Sequence, residues 1–453
     1  MYDNGLLEIQ EAVKATRQAS TKPIRVYTSY SVEGFILGAL LTKALEREDI
    51  RFTLTAIHGI TENFLETLEH EQHYTLYIFA GIGGKHYKDL NKVLKDKKII
   101  LLDTTTISIA DITPLPSSVQ TVSNAFVVYH YCKLLNPANK ELAYLPLIIY
   151  NKHKTLPETL LEDAAESITK LETLTLFSSP TKPLQKILET SYEPYLHGIS
   201  GSSETAQAFL HEYNIPITTK GKPTKLADLN SEQIKNFLTG VMIHRLGSDE
   251  ELDNIYGTQL LLTNEDDESN FKSLADYYNL LETCAVRNKA SIAIASLLSS
   301  KDARRELISI HTVHTRNVMD ALTWYVTKRK QSMHIEHKTF TIINAEDALT
   351  PPYLSTLAHI ISRWNLYAEH HRLLFLGHGM EETHVLYLAK GTLPDKLKEQ
   401  LDVLLHPYNT TCTINGRICE ATIPLEHEGE LLKNAQDSLS RSGMEEAVVE
   451  KPL

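Results

Sequence analysis

Four strand-length apolar runs recur within the first 103 residues, IRVYTS, RFTLTAI, YTLYIFA and KIILLD, with polar, helix-compatible segments between them. The segment after the first run places Phe35, Leu37, Leu40, Leu41, Ala44 and Leu45 on one broad helical face. This β-α-β-α rhythm predicts a parallel sheet with helices on both faces, because strands buried on both sides read as continuous apolar runs. Ligands of such sheets bind beyond the carboxyl ends of the strands. The residues just after each run are therefore the first candidates for function.

A formal net charge of −12 argues against gripping duplex DNA by wholesale phosphate neutralisation, although a local basic groove stays compatible with it. At 453 residues the chain has room for roughly two to four domains. Its four cysteines, Cys132, Cys284, Cys412 and Cys419, form no C-x-x-C pair and read as reduced, buried thiols. The start, MYDNGLLEIQEAVKATRQ, is amphipathic and carries acids, unlike a signal peptide. No apolar run approaches the roughly 20 residues of a membrane span. A cytoplasmic protein without a membrane partner is expected.

The alternating region extends over residues 1–155 and includes a further strand-like run, AYLPLIIY. Residues 156–305 read as mostly helical, with turn-rich connections such as SSPTKPLQ, HGISGSSE and TTKGKPTKLADLNSEQ. Residues 306–432 return to mixed strands and helices, for example TFTIINA, LLFLGHG and THVLYLAKG. The tail, 433–453, has few core-forming residues and is expected to be disordered. The expected fold class is α/β: a parallel-sheet domain, a helical middle region and a smaller α/β domain.

Ser29 to Gly34 follow the first strand, Gly81 follows the YTLYIF run, Asp103 to Thr106 follow KIILL, and Asn151 follows AYLPLIIY. A two-metal hydrolase would place several carboxylates and imidazoles here, holding ions about 3.5–4 Å apart. This set supplies two carboxylates, Glu33 and Asp103, among hydroxyls, glycines and one amide. Hydroxyls and glycine do not replace anionic ligands for a hard cation. The positions read as a metal site without its ligands.

With those residues in view, the chain resembles the DHH phosphoesterase superfamily, specifically the archaeal RecJ-like proteins. Members read H-x-D-x-D-G after the first strand, D-L-G after the third and D-H-H after the fourth, with an Asp near the helix that follows. Here SYSVEG places Ser29, Ser31 and Glu33 at the His, Asp and Asp positions and keeps Gly34. GIG places Gly81 at the D-L-G aspartate, and DTT keeps Asp103 but puts Thr104 and Thr105 at the two histidines. Asn151 falls near the last Asp. YEPYLHGISGSSE is similar to a family segment with an I-S-G core, and YYNLLETCAVR to a family helix in which Glu282, Ala285 and Val286 are departures. TINGRICEATIP ends in the family's A-T-I-P but has Thr413, Ile414 and Asn415 where Gly-Gly-His belongs.

The resemblance implies a DHH-type domain, degenerate in its motifs, and a DHH-associated-like domain. It implies a catalytically inactive scaffold with no metal cofactor, similar to the nuclease-inactive branch related to cell-division-cycle forty-five. Its implied partners are the GINS complex, the MCM helicase through GINS, and single-stranded DNA. One alternative is a single-strand-specific exonuclease with Mn or Mg on a reduced site of Glu33 and Asp103. Another is a nucleic-acid binder acting alone in repair, against which the net charge weighs.

Other features have two readings each. Ser31, with His130 or His153 as base, has the parts of a nucleophile, but a serine at a strand-to-helix turn also caps the helix. GIGGKH hints at a phosphate loop yet fails that template, with Phe79 at its first glycine position. Lys328, Arg329 and Lys330, together with Arg363 beside Trp364, are the candidates for contact with a nucleic-acid strand.

Overall fold

The computed structural model describes residues 4–19, 22–71, 73–82, 86–104, 123–150, 157–174, 180–245, 256–328, 334–362, 367–368, 370–389, 391–415 and 418–437. The chain divides into two compact units. Residues 1–181 and 256–312 make the first, and residues 182–255 and 313–453 make the second. The helical segment 156–305 thus contributes to both units.

The first unit is built on the expected sheet. Strands β1 (Ile24–Ser29), β2 (Phe52–Ile57), β3 (Leu76–Ala80) and β4 (Lys98–Leu102) pair in parallel in the order β2-β1-β3-β4. Side chains alternate between the two faces. Ile24, Val26, Leu76 and Ile78 join the core shared with helices α1 (Asn4–Gln18), α2 (Val32–Arg47) and α5 (Asn124–Leu135). Tyr27, Tyr77 and Phe79 pack on the opposite face against α3 (Glu62–His70) and α4 (Tyr87–Val93). α2 is apolar almost all round, and burial follows on nearly every side: β1 and β2, α5, and helices Leu274–Val286 and Ala290–Leu297 all contact it.

The run AYLPLIIY departs from the expected strand. It forms the end of a 3-10 turn, Pro137–Ala143, and then the helix Tyr144–Tyr150. A short apolar run does not by its period distinguish a strand from a buried helix. Here the preceding segment decides, since Asn136 caps the turn through Ala138 N (2.9 Å) with Pro137 in its first position.

In the second unit a six-stranded mixed sheet carries the core. Its order is Thr413–Asn415, Ile418–Pro424, Glu382–Ala389, Arg372–His378, Phe340–Asn344 and His334–Glu336, and only Phe340–Asn344 with Arg372–His378 is a parallel pair. Helix Pro351–Ile361 connects that pair and covers one face; Pro394–Leu405 covers the other. The helix at residues 428–437 extends past the expected start of the tail at 433, and its Ala435 is buried. It is tied down by Glu428, whose carboxylate accepts from Asn344 Nδ2 (2.8 Å), Thr383 Oγ1 (2.8 Å) and His378 Nε2 (2.9 Å). Among the described residues no helix is long and apolar enough to cross a membrane.

One charge is buried within the first sheet. Arg25 lies on the α3 face of β1, and its Nε and Nη2 donate to both oxygens of Glu71 (2.9 and 3.2 Å). Tyr27 Oη donates to the same carboxylate (2.7 Å), and Arg25 Nη1 reaches Thr55 Oγ1 (2.9 Å). Partial burial opposes ionisation of Glu71, but the hydrogen bonds from Arg25 and Tyr27 outweigh it and hold the carboxyl below its usual range. Because the folded-state value is the lower one, this contribution to stability is fully present above the ordinary glutamate value of about 4.3 and is lost as pH falls through the folded value. E71Q is expected to cost about 1.5–3 kcal/mol at neutral pH, the range for a hydrogen-bonded charge. Urea titrations against pH should show the wild type losing its advantage over E71Q in acid.

Candidate functional site

The four parallel strands end together. Ser29 pairs with Ile57, Thr28 with Ala80, and Ala80 with Leu102. This register gathers Ser29, Ser31, Glu33, Gly81, Asp103 and Thr104 along one edge of the sheet.

Ser31 is the N-cap of α2, with Oγ accepting from Gly34 N at 3.1 Å. Ser29 Oγ lies 2.9 Å from Ser31 Oγ, so the two hydroxyls hydrogen-bond to each other. α2 starts so close to the end of β1 that a Cβ on Gly34 would overlap the Ser29 carbonyl oxygen and stand 2.6 Å from Ser29 Oγ. The glycine of the motif is therefore demanded by backbone packing alone. Tyr30 fixes the turn from the other side. Its ring stacks on His58 at 4.3 Å, and its Oη accepts from Ala290 N at 3.0 Å.

Glu33 turns toward α5. Its Oε1 accepts from Ala125 N and its Oε2 from Asn124 Nδ2, both at 3.2 Å. A carboxylate at the first turn of a helix meets unsatisfied N–H groups and the positive end of the dipole. Asn124 carries the connection onward, since its Oδ1 accepts from Thr104 N at 2.9 Å. One amide thus bridges the turn after β1 to the turn after β4. Asn124 escaped the reading of the sequence, where the only trace is the capping serine before it, Ser123, bonded to Phe126 N (3.3 Å).

Gly81 has φ +67° and donates its N–H to Leu102 O (2.9 Å). A Cβ there would lie 2.7 Å from Leu37 Cδ1 and 3.6 Å from Asn124 Nδ2. The space an aspartate would need at this position is filled by an α2 leucine and the bridging amide. Asp103 is buried at the end of β4.

These donors do not fit a two-metal centre. Both Glu33 oxygens are engaged by N–H groups, the two serines by each other and the cap, and Gly81 offers no ligand. Among the described residues no group of three or more His, Cys, Asp or Glu could hold a metal ion. Among the described residues, Ser31 is bonded to Gly34 N and Ser29 and not to a base. His130 lies on α5 against Phe126 (4.3 Å), and its Nε2 is buried without a hydrogen bond. Burial, with Lys133 nearby, pushes that imidazole down to about 4. Thr105, Asn151, His153, Arg329, Lys330, Arg363 and Trp364 lie outside the described residues, as do Gly83, Gly84 and Lys85 of GIGGKH. Lys328 is described only as the last backbone position of helix Lys301–Lys328.

Residues 176–256 match the DHH-CID domain family. No curated protein sequence matches the chain. The fold is similar to that of CDC45 from Entamoeba histolytica, with a TM-score of 0.66 at 11% identity over 96% of this chain and 99% of that one. It is also similar to the exonuclease RecJ bound to manganese, with a TM-score of 0.55 at 11% identity over 96% and 94% of the two chains. RecJ from Thermus thermophilus, in complex with Mn²⁺, aligns at a TM-score of 0.51 and 12% identity over 96% of this chain and 55% of its own.

The geometry makes two predictions for stability. E33A removes both bonds to the start of α5 and should cost about 1.5–3 kcal/mol, whereas S31A removes one cap and should cost about 0.5–2 kcal/mol. G34A forces backbone apart and should exceed both, at about 3 kcal/mol or more. Urea unfolding of the three variants checks the order.

Proposed function

We propose that this chain, which has the DHH-superfamily fold of CDC45 and RecJ, is a catalytically inactive scaffold subunit of a replicative helicase assembly. The observation that carries this reading is the state of Glu33. It is the one acid kept in the first motif, and its two oxygens satisfy the amino end of α5. Hydrolysis of a phosphodiester by metal ions needs anionic groups free to hold them. Losing groups that merely orient ligands commonly costs about 10–100-fold in affinity or activity, and here the ligand positions themselves are hydroxyls and glycine. A fold kept without those ligands is suited to holding partners in place. The resemblance read from the sequence names them: GINS, MCM through GINS, and single-stranded DNA as a further contact.

The second reading is a single-strand-specific exonuclease with a reduced Mn or Mg site. Two observations favour it, the likeness to manganese-bound RecJ and a carboxylate, Asp103, retained at the end of β4. Incubating the pure protein and E33Q with labelled single strands and Mn²⁺ separates the readings. The scaffold reading expects equal, background-level products from both. Metal-dependent cleavage that E33Q abolishes would establish the exonuclease instead. For the partner, the expected outcome is co-elution with GINS from the same organism on size exclusion. Separate elution at micromolar concentrations would sink the assignment.

A further inference from the structure

Residues 216–225, PITTKGKPTK, carry three lysines and no acid in a chain whose net charge is −12. They form a hairpin in the second unit, with Thr218 opposite Pro223 and Thr219 opposite Lys222. Only Lys220 and Gly221 remain for the turn, and both have positive φ, +52° and +76°. A two-residue turn of this kind favours Asn, Asp or Gly in its first position, because a Cβ is strained there. Lysine gains nothing from the turn. A local rule broken without structural benefit points to a role for the side chain.

The hairpin is also held rigidly. Thr219 and Thr224 hydroxyls hydrogen-bond at 2.9 Å, Thr224 N donates to Ile217 O (2.9 Å), and Leu184 N donates to Thr224 O (2.8 Å). Pro183 forms a β-bridge with Lys225, and Asp228 accepts from the Lys225 backbone N–H (2.8 Å). At the tip, Lys220 and Lys222 are exposed and form no ion pair among the described residues. Pro216, Ile217 and Pro223 beside them are exposed too, which adds an apolar shoulder.

We propose that this hairpin is a docking surface for an acidic polypeptide segment bearing apolar side chains. Charge complementarity selects an anionic partner, and the shoulder of Ile217 and the two prolines selects one with apolar groups to bury. Binding of a single nucleic-acid strand relies on aromatic platforms for its bases. The hairpin, residues 216–225, contains no aromatic residue. The inference is independent of whether the strand-end site is catalytic.

Fluorescence anisotropy of a short labelled peptide of glutamates and leucines, titrated with the full-length protein, tests it. The variant K220N/K222Q removes both tip charges while placing a favoured residue at the turn. The expected result is salt-sensitive binding that weakens about five- to tenfold in the variant, as for two lost exposed ion pairs. The pair K88Q/K92Q on α4 of the first unit, with the same change in net charge, should bind as the wild type does. Three outcomes overturn the proposal: no binding of the peptide, equal loss in both variants, or an oligothymidylate that binds more tightly than the peptide with the same dependence on Lys220 and Lys222.

Discussion

The amino end of α2 lies against the carboxyl end of β1 at a separation that leaves room only for the hydrogen of Gly34, and much of the first unit depends on that approach. It seats an almost entirely buried helix directly on the sheet, in contact with β1, β2 and α5. A helix so enclosed cannot move without opening cavities along its length, and packed interiors resist that. The cap by Ser31 and the tether by Tyr30 then follow as local consequences, since the first N–H groups of α2 and the strand end behind them need partners inside the protein.

The same edge is cross-linked by hydrogen bonds between its turns. In a metal centre, cations draw together the turns that follow several strands. Here neutral and charged hydrogen bonds connect them: Glu33 to the start of α5, and Asn124 to the backbone after β4. Leu37 and Asn124 occupy the space before Gly81. A partly buried carboxylate is costly unless hydrogen-bond donors or a cation surround it. Asn124 and Ala125 meet that requirement, and they also draw α5 onto the sheet. Turn, helix and filler are mutually consistent, which is what a stable core requires whatever its chemistry.

How much of this was legible in the sequence differs by element. β1 to β4 follow from continuous apolar runs of strand length, and α2 from its apolar spacing, because both signals are local. AYLPLIIY was read as a strand and is helical, since seven or eight apolar residues look alike in either state until Asn136 and Pro137 set the start. The end of the second core was placed early, because the alternation of Leu431 and Ala435 with polar residues is short and its anchor, Glu428, binds groups 45 to 84 positions away. The hairpin around Lys220 reads in the sequence only as a turn-rich connection. Its rigidity depends on contacts with Pro183 and Leu184, which no local pattern announces.

By itself the sequence determined the parallel α/β architecture of the first unit and the poverty of metal ligands at its strand ends. Both are matters of residue type and short-range period. The tertiary structure alone decided what Glu33 does. Its partners lie 91 and 92 positions along the chain, on a helix whose first turn is brought over β1 only when the sheet has formed. A carboxylate is a ligand or a helix cap according to which groups packing places around it, and that choice is made by the fold.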